Sequence, residues 1–397
     1  MADHKDPVIV ALARTPFGRL EGSLAGVAAA RLAAYAVDEV LARAGDPSID
    51  AVSAGIGLIG GATLTATRQA VLLSRLPHTT PSFGVDRACC SGMTAIGLGW
   101  KDILAGQSAS LVCGGFESLS RTPLLWPRQR ARIGAVTVED PLRLSGPAVD
   151  RPIAVYSGEE ALRQGVTRLD QDNWAVKSHA NYFLAQERGF FAFERMSLQL
   201  AGPNGQAIVF DADESPRSGT TLEKLSCLSP VYGGPCITAG NAPGLNDGAA
   251  FVVLTSAEFA RAHGLPVLAR IRGYAQVCGD ATSGTYTPAV AIDRALQKCA
   301  LGIDGVDLIE INEAYAATPL VSTLKLGGGD ATRVSALRKR TNIHGGAVAI
   351  GHPLGASGAR LTMTLIAGLR ERGGGRGVAA ICGGFGQGDA LVIEVDA

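Results

Sequence analysis

The sequence is short of aromatic side chains (5%) and of charge (18%), and its acidic and basic residues cancel, 36 against 36. A chain with no net charge has no overall field to draw it to nucleic acid or to a membrane surface. No apolar run is long enough to span a bilayer. The opening MADHKDPVIVALARTPFG turns polar and then strand-like, without the pattern of a signal peptide. The eight cysteines lack paired metal-ligand spacing, so reduced thiols, no metal and a cytoplasmic location are expected. Adjacent Cys89 and Cys90 would form only a strained vicinal disulfide. Glycine, by contrast, is abundant: 51 of 397 residues, in a chain that is 47% hydrophobic. Such a composition suits a globular protein with a large core and argues against disorder. The length allows two or three domains.

Strand-like and helix-like stretches alternate. Strands are expected at 7–12, 110–115, 249–256, 267–277, 307–312 and 377–384. Helices are expected near 24–44, 91–105, 170–188, 288–300, 313–325 and 356–371. The alternation implies an α/β fold with parallel or mixed sheets. Residues 121–240, with many Pro, Arg and short polar stretches, read as a loop-rich insertion. An internal echo is also present. Cys90-Ser91-Gly92, a helix, a glycine break and Val112-Cys113-Gly114-Gly115-Phe116 recur as Ala356-Ser357-Gly358, a helix, a longer glycine turn at 373–375 and Ile381-Cys382-Gly383-Gly384-Phe385. Two copies of one αβ unit account for this order.

Cys89 stands just before a helix start, where free N–H groups and the helix dipole lower a thiol pKa and make a nucleophile. The bland alternative is a small buried cysteine. His352 lies in the glycine-dense GGAVAIGHPLGASGAR (345–360), suited to acid–base or oxyanion work, or to capping a turn. Cys382 ends a buried strand and enters CGGFGQG, whose glycines let the backbone approach a ligand; an ordinary core cysteine is the alternative. Asn312 falls at a strand end, able to orient water or to cap the next helix. Glu313 reads as a first-turn helix carboxylate.

With these residues in view, the whole chain resembles a thiolase, of the acetyl-CoA acetyltransferase or 3-ketoacyl-CoA thiolase type. The similarity runs in order through RTPFGRLEGSL (14–24), CCSGMTA (89–95), GGFESLS (114–120), DESPRSGTTLEKLSCLSP (213–230), TAGNAPGLNDGAA (238–250), NEAYAA (312–317), GHPLGASGAR (351–360) and CGGFGQG (382–388). The resemblance implies a five-layered α/β fold of two duplicated βαβαβαββ halves. The first half would take 1–120 plus 241–265, an inserted loop domain 121–240 and the second half 266–397. It also implies a homodimer or homotetramer, and a place in fatty-acid metabolism such as β-oxidation. No cofactor is bound permanently; coenzyme A and acyl-CoA are substrates.

By the same resemblance, Cys89 accepts the acyl group and His352 takes its proton. Cys382 then exchanges the α-proton of a second acyl-CoA in ping-pong Claisen chemistry. Oxyanions would be held by His352 with a water positioned by Asn312, and by the backbone N–H groups of Cys89 and Gly384. Arg217 matches the position that meets the adenine end of CoA, and the Arg run 121–132 could face its phosphates or simply solvent. The chain departs from the family's pattern in three places. The usual His-Met-Gly and Thr-Ala-Glu-Asn stretch reads PIAVYSGEEAL (152–162). A usual Ser is Pro243, which has no hydroxyl or N–H to offer the pantetheine. A usual Gly is Phe385, expected to crowd the site beside Cys382 and narrow the acyl pocket. Competing readings are a decarboxylating ketosynthase, which would use a second His rather than Cys382, and a non-catalytic acyl-CoA-binding relative, which would have lost one of Cys89, Asn312, His352 or Cys382.

Overall fold

The computed structural model describes residues 6–59, 64–126, 138–202 and 205–397. Its strands are β1 (Pro7–Arg14), β2 (Gly18–Arg19), β3 (Ala51–Gly55), β4 (Ser82–Val85), β5 (Ser110–Ser118), β6 (Leu198–Ala201), β7 (Ala207–Phe210), β8 (Asn246–Ser256), β9 (Ala269–Cys278), β10 (Leu308–Ile311), β11 (Gly375–Gly383) and β12 (Gln387–Val395). The first half of the chain orders its strands β4-β3-β5-β8-β1, and the second β10-β11-β12-β9. In both, an outer parallel pair is followed by antiparallel strands. Where the first half has β4, the second has a single parallel bridge from Ile309 to Thr341. The duplication expected from the sequence is therefore present in the topology. The two copies meet where Val8 and Ile9 of β1 pair with Arg270 and Ala269 of β9.

Two helices, Ser91–Leu104 and Leu354–Glu371, form the middle layer. Every residue from Leu354 to Leu369 is buried. A helix buried on all sides forms such a middle layer, here even where it carries Ser357, Arg360, Thr362 and Thr364. Helices Ala29–Arg43 and Thr287–Lys298 cover the outer faces of the two halves, each burying one apolar stripe. The echoed Ser-Gly pairs have a steric origin. A Cβ on Gly92 would lie 2.3 Å from the Gly355 carbonyl oxygen, and one on Gly358 would lie 2.4 Å from the Met93 nitrogen. Only glycine lets the two middle helices approach this closely near their N-terminal ends.

Between β5 and β8 the chain is less irregular than its composition suggested. It contains helices Ile153–Arg163 and Arg168–Glu187 and the β6–β7 hairpin. This segment is tied to the core by Arg14 of β1. Its fully buried guanidinium pairs with Glu194 at 2.6 Å and Asp213 at 2.7 Å. The helix expected over 313–325 begins only at Ala317 and ends at Leu326, which leaves Asn312 to Ala316 as a turn. Among the described residues no helix is long and apolar enough to cross a membrane, and no group of His, Cys, Asp and Glu could hold a metal ion.

Candidate active site

Cys89 sits in a 3-10 turn, Ala88–Cys90, that leads directly into the helix at Ser91. The turn is closed by a side chain. Ser91 Oγ accepts the Arg87 N–H at 2.8 Å and donates to the Ala88 carbonyl at 2.7 Å. Ala88 is held at φ 49°, a left-handed conformation that costs a non-glycine residue about 1–3 kcal/mol. Cys90 is fully buried, with Sγ 3.6 Å from the Ile381 carbonyl oxygen. Cys89 is half-buried and opens onto a cavity. The adjacent cysteines thus face different surroundings, and both are free thiols.

That cavity, of about 30 Å³, is lined by Cys89, Cys382, Gly384, Phe385, Tyr156, Ser157, Tyr315 and Thr318, among others. The glycine loop after β11 makes the approach of the two cysteine-bearing segments possible. A Cβ on Gly383 would lie 2.9 Å from the Arg87 carbonyl oxygen and 3.0 Å from Cys90 Sγ. Phe385, at φ 60° and 38% exposed, forms the outer wall, its ring toward Gly146. Burial pushes the Cys382 thiol up to about 12, with the neighbouring Glu160 adding to it. Burial also raises the Cys89 thiol well above its usual range, with Cys382 and Glu117 adding to it. The expectation that the helix start would lower the Cys89 pKa is therefore corrected. Desolvation, with the Glu117 carboxyl adding to it, outweighs a dipole worth about 0.3–1 kcal/mol at an exposed site.

His352 occupies the turn before the second middle helix. Its N–H donates to Asn246 Oδ1 at 3.0 Å, and Leu245 bridges to it in parallel. Gly351 precedes it at φ 107°, and a Cβ there would lie 2.5 Å from the Asn246 side chain, so only glycine fits. The imidazole has Nδ1 2.6 Å from Ser357 Oγ and Nε2 3.4 Å from Asn312 Nδ2. Burial, then the nearby Arg360 charge, lowers its pKa to about 3. The ring is thus neutral at physiological pH. Its turn is anchored by Glu313, which is not in the first turn of a helix as expected, because the next helix begins only at Ala317. Glu313 is fully buried and accepts bonds from Trp174 Nε1 and Ser178 Oγ at 2.8 Å, Asn342 Nδ2 at 2.9 Å and the Val348 N–H at 3.0 Å.

A second, larger concavity of about 880 Å³ reaches toward the same turn. Its lining includes Arg19, His179, Ser215, Arg217, Lys224, Gly240, Gly244, Leu245 and Val348. Leu245 at its inner end bridges to His352. Arg217 lies in this groove and outside the cysteine cavity, so the sequence-selected residues fall into separate places rather than one. Sequence reasoning missed His179, whose Nδ1 accepts the Arg217 N–H at 3.2 Å. Burial, then Arg217, lowers its pKa to about 4, keeping that nitrogen an acceptor. Ser357 and Tyr156 were missed as well, and Glu313 reads in the sequence as a first-turn helix carboxylate rather than as a buried anchor. Of these, Ser357 had a signal, since it is the echo's Ser beside a candidate His. Of the Arg run 121–132, Arg121 ends a 3-10 turn, while Arg128, Arg130 and Arg132 lie outside the described residues.

A thiol pair in one cavity, a neutral imidazole in the turn before the second middle helix and a separate groove holding Arg19, Arg217 and Lys224 are the parts an acyl-transfer enzyme needs. The models of the thiolase N-terminal and C-terminal domains match residues 7–258 and 265–395. The acetyl-CoA acetyltransferase of Pseudomonas aeruginosa is 38% identical, covering 99% of this chain and 100% of its own. The beta-ketoadipyl-CoA thiolase of the same organism is also 38% identical, covering 96% and 97%. The crystal structure of human mitochondrial 3-ketoacyl-CoA thiolase in complex with CoA superposes with a TM-score of 0.92 at 32% identity, covering 99% of each chain. The chain belongs to the thiolase family. It is an acyl-CoA acyltransferase, with CoA thioesters as substrates and no permanently bound cofactor.

Proposed function

We propose that this enzyme makes or cleaves short 3-ketoacyl-CoA through an acyl-Cys89 intermediate. The observation that carries the reading is that Cys89 and Cys382 line one small cavity, and that His352, held by Ser357, stands in the turn before the second middle helix. In the cleaving direction, His352 Nε2 takes the Cys89 proton and Sγ attacks the 3-keto carbon. The Cα–Cβ bond breaks, and the acetyl-CoA carbanion takes the proton of Cys382. The proton on His352 returns to Cys382. Coenzyme A then gives its proton to His352 and attacks the acyl-enzyme, and Cys89 leaves and is reprotonated. Each group ends as it began, and condensation is the reverse.

Once protonated, His352 Nε2–H can donate to one developing oxyanion, with Asn312 orienting a water beside it. The N–H groups of Cys89 and Gly384 serve the other. Each well-aimed donor is worth about 3–4 kcal/mol. Arg217, with its backbone held by His179, is placed for the distal end of CoA in the groove. The small cavity and the Phe385 wall favour an acyl group of acetyl size. The exposed β4 edge, with Phe83 39% exposed, supports assembly into a homodimer or homotetramer. Free cysteines fit a cytoplasmic location. The test is mass spectrometry after mixing with acetyl-CoA: an acetyl adduct on Cys89 is expected, and no adduct on any cysteine overturns the reading.

A further inference from the structure

The Cys89 turn is strained at Ala88, and a strained turn keeps its shape only when its surroundings over-determine it. The strongest constraint comes from Arg87, which lines neither the cysteine cavity nor the CoA groove. Its guanidinium, 17% exposed, is turned inward. Nη1 pairs with the carboxylate of Asp389 on β12 and donates to Thr94 Oγ1 at 3.1 Å. Asp389 is fully buried and also accepts from Thr94 Oγ1 and the Tyr274 hydroxyl, each at 2.6 Å. Arg87 Nε donates to Gln387 Oε1 at 3.0 Å, and Gln387 Nε2 donates to the Gly384 carbonyl at 3.1 Å. One side chain therefore joins the segment carrying Cys89 to the loop carrying Cys382 and Gly384, across the two halves of the chain.

We propose that Arg87, anchored on Asp389 and linked through Gln387, is a positioning residue that fixes the Cys89 turn against the glycine loop, and so sets where the attacking sulfur meets the Gly384 N–H. The proposal rests on the reading of Cys89 as nucleophile and Gly384 as oxyanion donor. A fork of donors is required: a planar guanidinium can hold Asp389 and Gln387 at once, whereas an ammonium retains the charge but not that geometry. Loosening the link misaims a donor without removing any group that touches substrate. Misplacement of this order costs about 10- to 100-fold in rate.

The experiment measures single-turnover acetylation of Cys89 by acetyl-CoA, normalised to the sites that become labelled, in wild type, Gln387→Glu, Arg87→Lys and the double variant. Gln387→Glu keeps the acceptor for Arg87 and removes the donor to Gly384. Each single variant is expected to acylate about 10- to 100-fold more slowly per site, with KM changed less than about twofold. The double variant should be no slower than the worse single one, because both cut the same link. A merely structural role would lower the labelled fraction and the melting temperature while leaving the rate per site unchanged. Wild-type rates in both single variants, or losses that multiply in the double variant, overturn the proposal. If wild type itself labels no Cys89, the underlying reading fails instead.

Discussion

Ser357 fixes the tautomer of His352. Its Oγ lies 2.6 Å from His352 Nδ1 and itself donates to the Pro353 carbonyl at 2.9 Å. With its only proton committed, the hydroxyl must accept from Nδ1–H. The ring's free lone pair is then on Nε2, the nitrogen that faces Asn312. Ser357→Ala should lower kcat about 10- to 100-fold through loss of orientation while leaving CoA affinity nearly unchanged. Steady-state kinetics with a CoA titration would check it; an unchanged kcat would remove Ser357 from the site.

The two neighbouring cysteines should separate cleanly. Cys89→Ala is expected to abolish both the acyl adduct and turnover. Cys90→Ala, which trims a buried thiol packed under β11, should keep most activity. Adduct mapping on both variants decides the matter, and an inactive Cys90→Ala would reverse the assignment.

Cys382→Ser should divide the two half-reactions. Acetylation of Cys89 from acetyl-CoA should persist, while condensation and thiolysis are lost, because a serine hydroxyl is a far weaker acid than a thiol and does not ionise to take part in the proton transfer. Comparing the adduct yield with turnover tests this. Loss of the adduct together with turnover would place Cys382 in the first step.

Between about pH 5 and 9 neither His352, lowered to about 3, nor Cys382, raised to about 12, should titrate, whereas Glu117 beside Cys89 is raised by burial to about 7. A limb of kcat/KM near the ordinary histidine value of 6.5 that persists in Glu117→Gln would contradict this. Stability behaves differently. Between 6.5 and about 3 the unfolded chain protonates this histidine and the folded one does not. The unfolded state binds the extra proton, so stability falls as pH drops through that window. His352→Asn should flatten the slope in a series of thermal melts.

Phe385→Gly should widen the range of acyl chains. The native φ of 60° suits glycine, so the change relieves strain as it removes the cavity's outer wall. Cleavage of longer 3-ketoacyl-CoAs is expected to rise relative to acetoacetyl-CoA. Equal cleavage of all lengths by the wild type would show that Phe385 sets no limit.

Much of this was legible in the sequence. The doubled small-Ser-Gly, helix, Cys-Gly-Gly-Phe order was visible because close helix crossing demands glycine at a fixed place. Strands such as β5 and β11 announced themselves as apolar runs between glycines. Elements whose composition runs against their structure were missed. β3 is the near-featureless AVSAG, and helix Ile153–Arg163 carries Ser157 and Gly158 in its middle. Roles set by distant partners were also hidden. Nothing near Glu313 in the chain indicates that Trp174, Ser178 and Asn342 would converge on it, and nothing around Cys89 shows that desolvation would defeat the helix dipole. Local pattern reports propensity, whereas burial and electrostatics are decided by what the fold brings up from elsewhere.

Through the internal echo, Cys382 corresponds to Cys113, which is wholly buried in the first half's core beside Gly99. The matching sulfur is packed inside the core in one copy and lines the cysteine cavity in the other. With Cys89 on the first copy and His352 and Cys382 on the second, the proposed mechanism would draw on both copies. The covalent tandem does what two identical subunits do when they share a site across a twofold axis. Fusion frees the partners from symmetry, so that on the proposed mechanism one copy would carry the nucleophile and the other the proton chemistry.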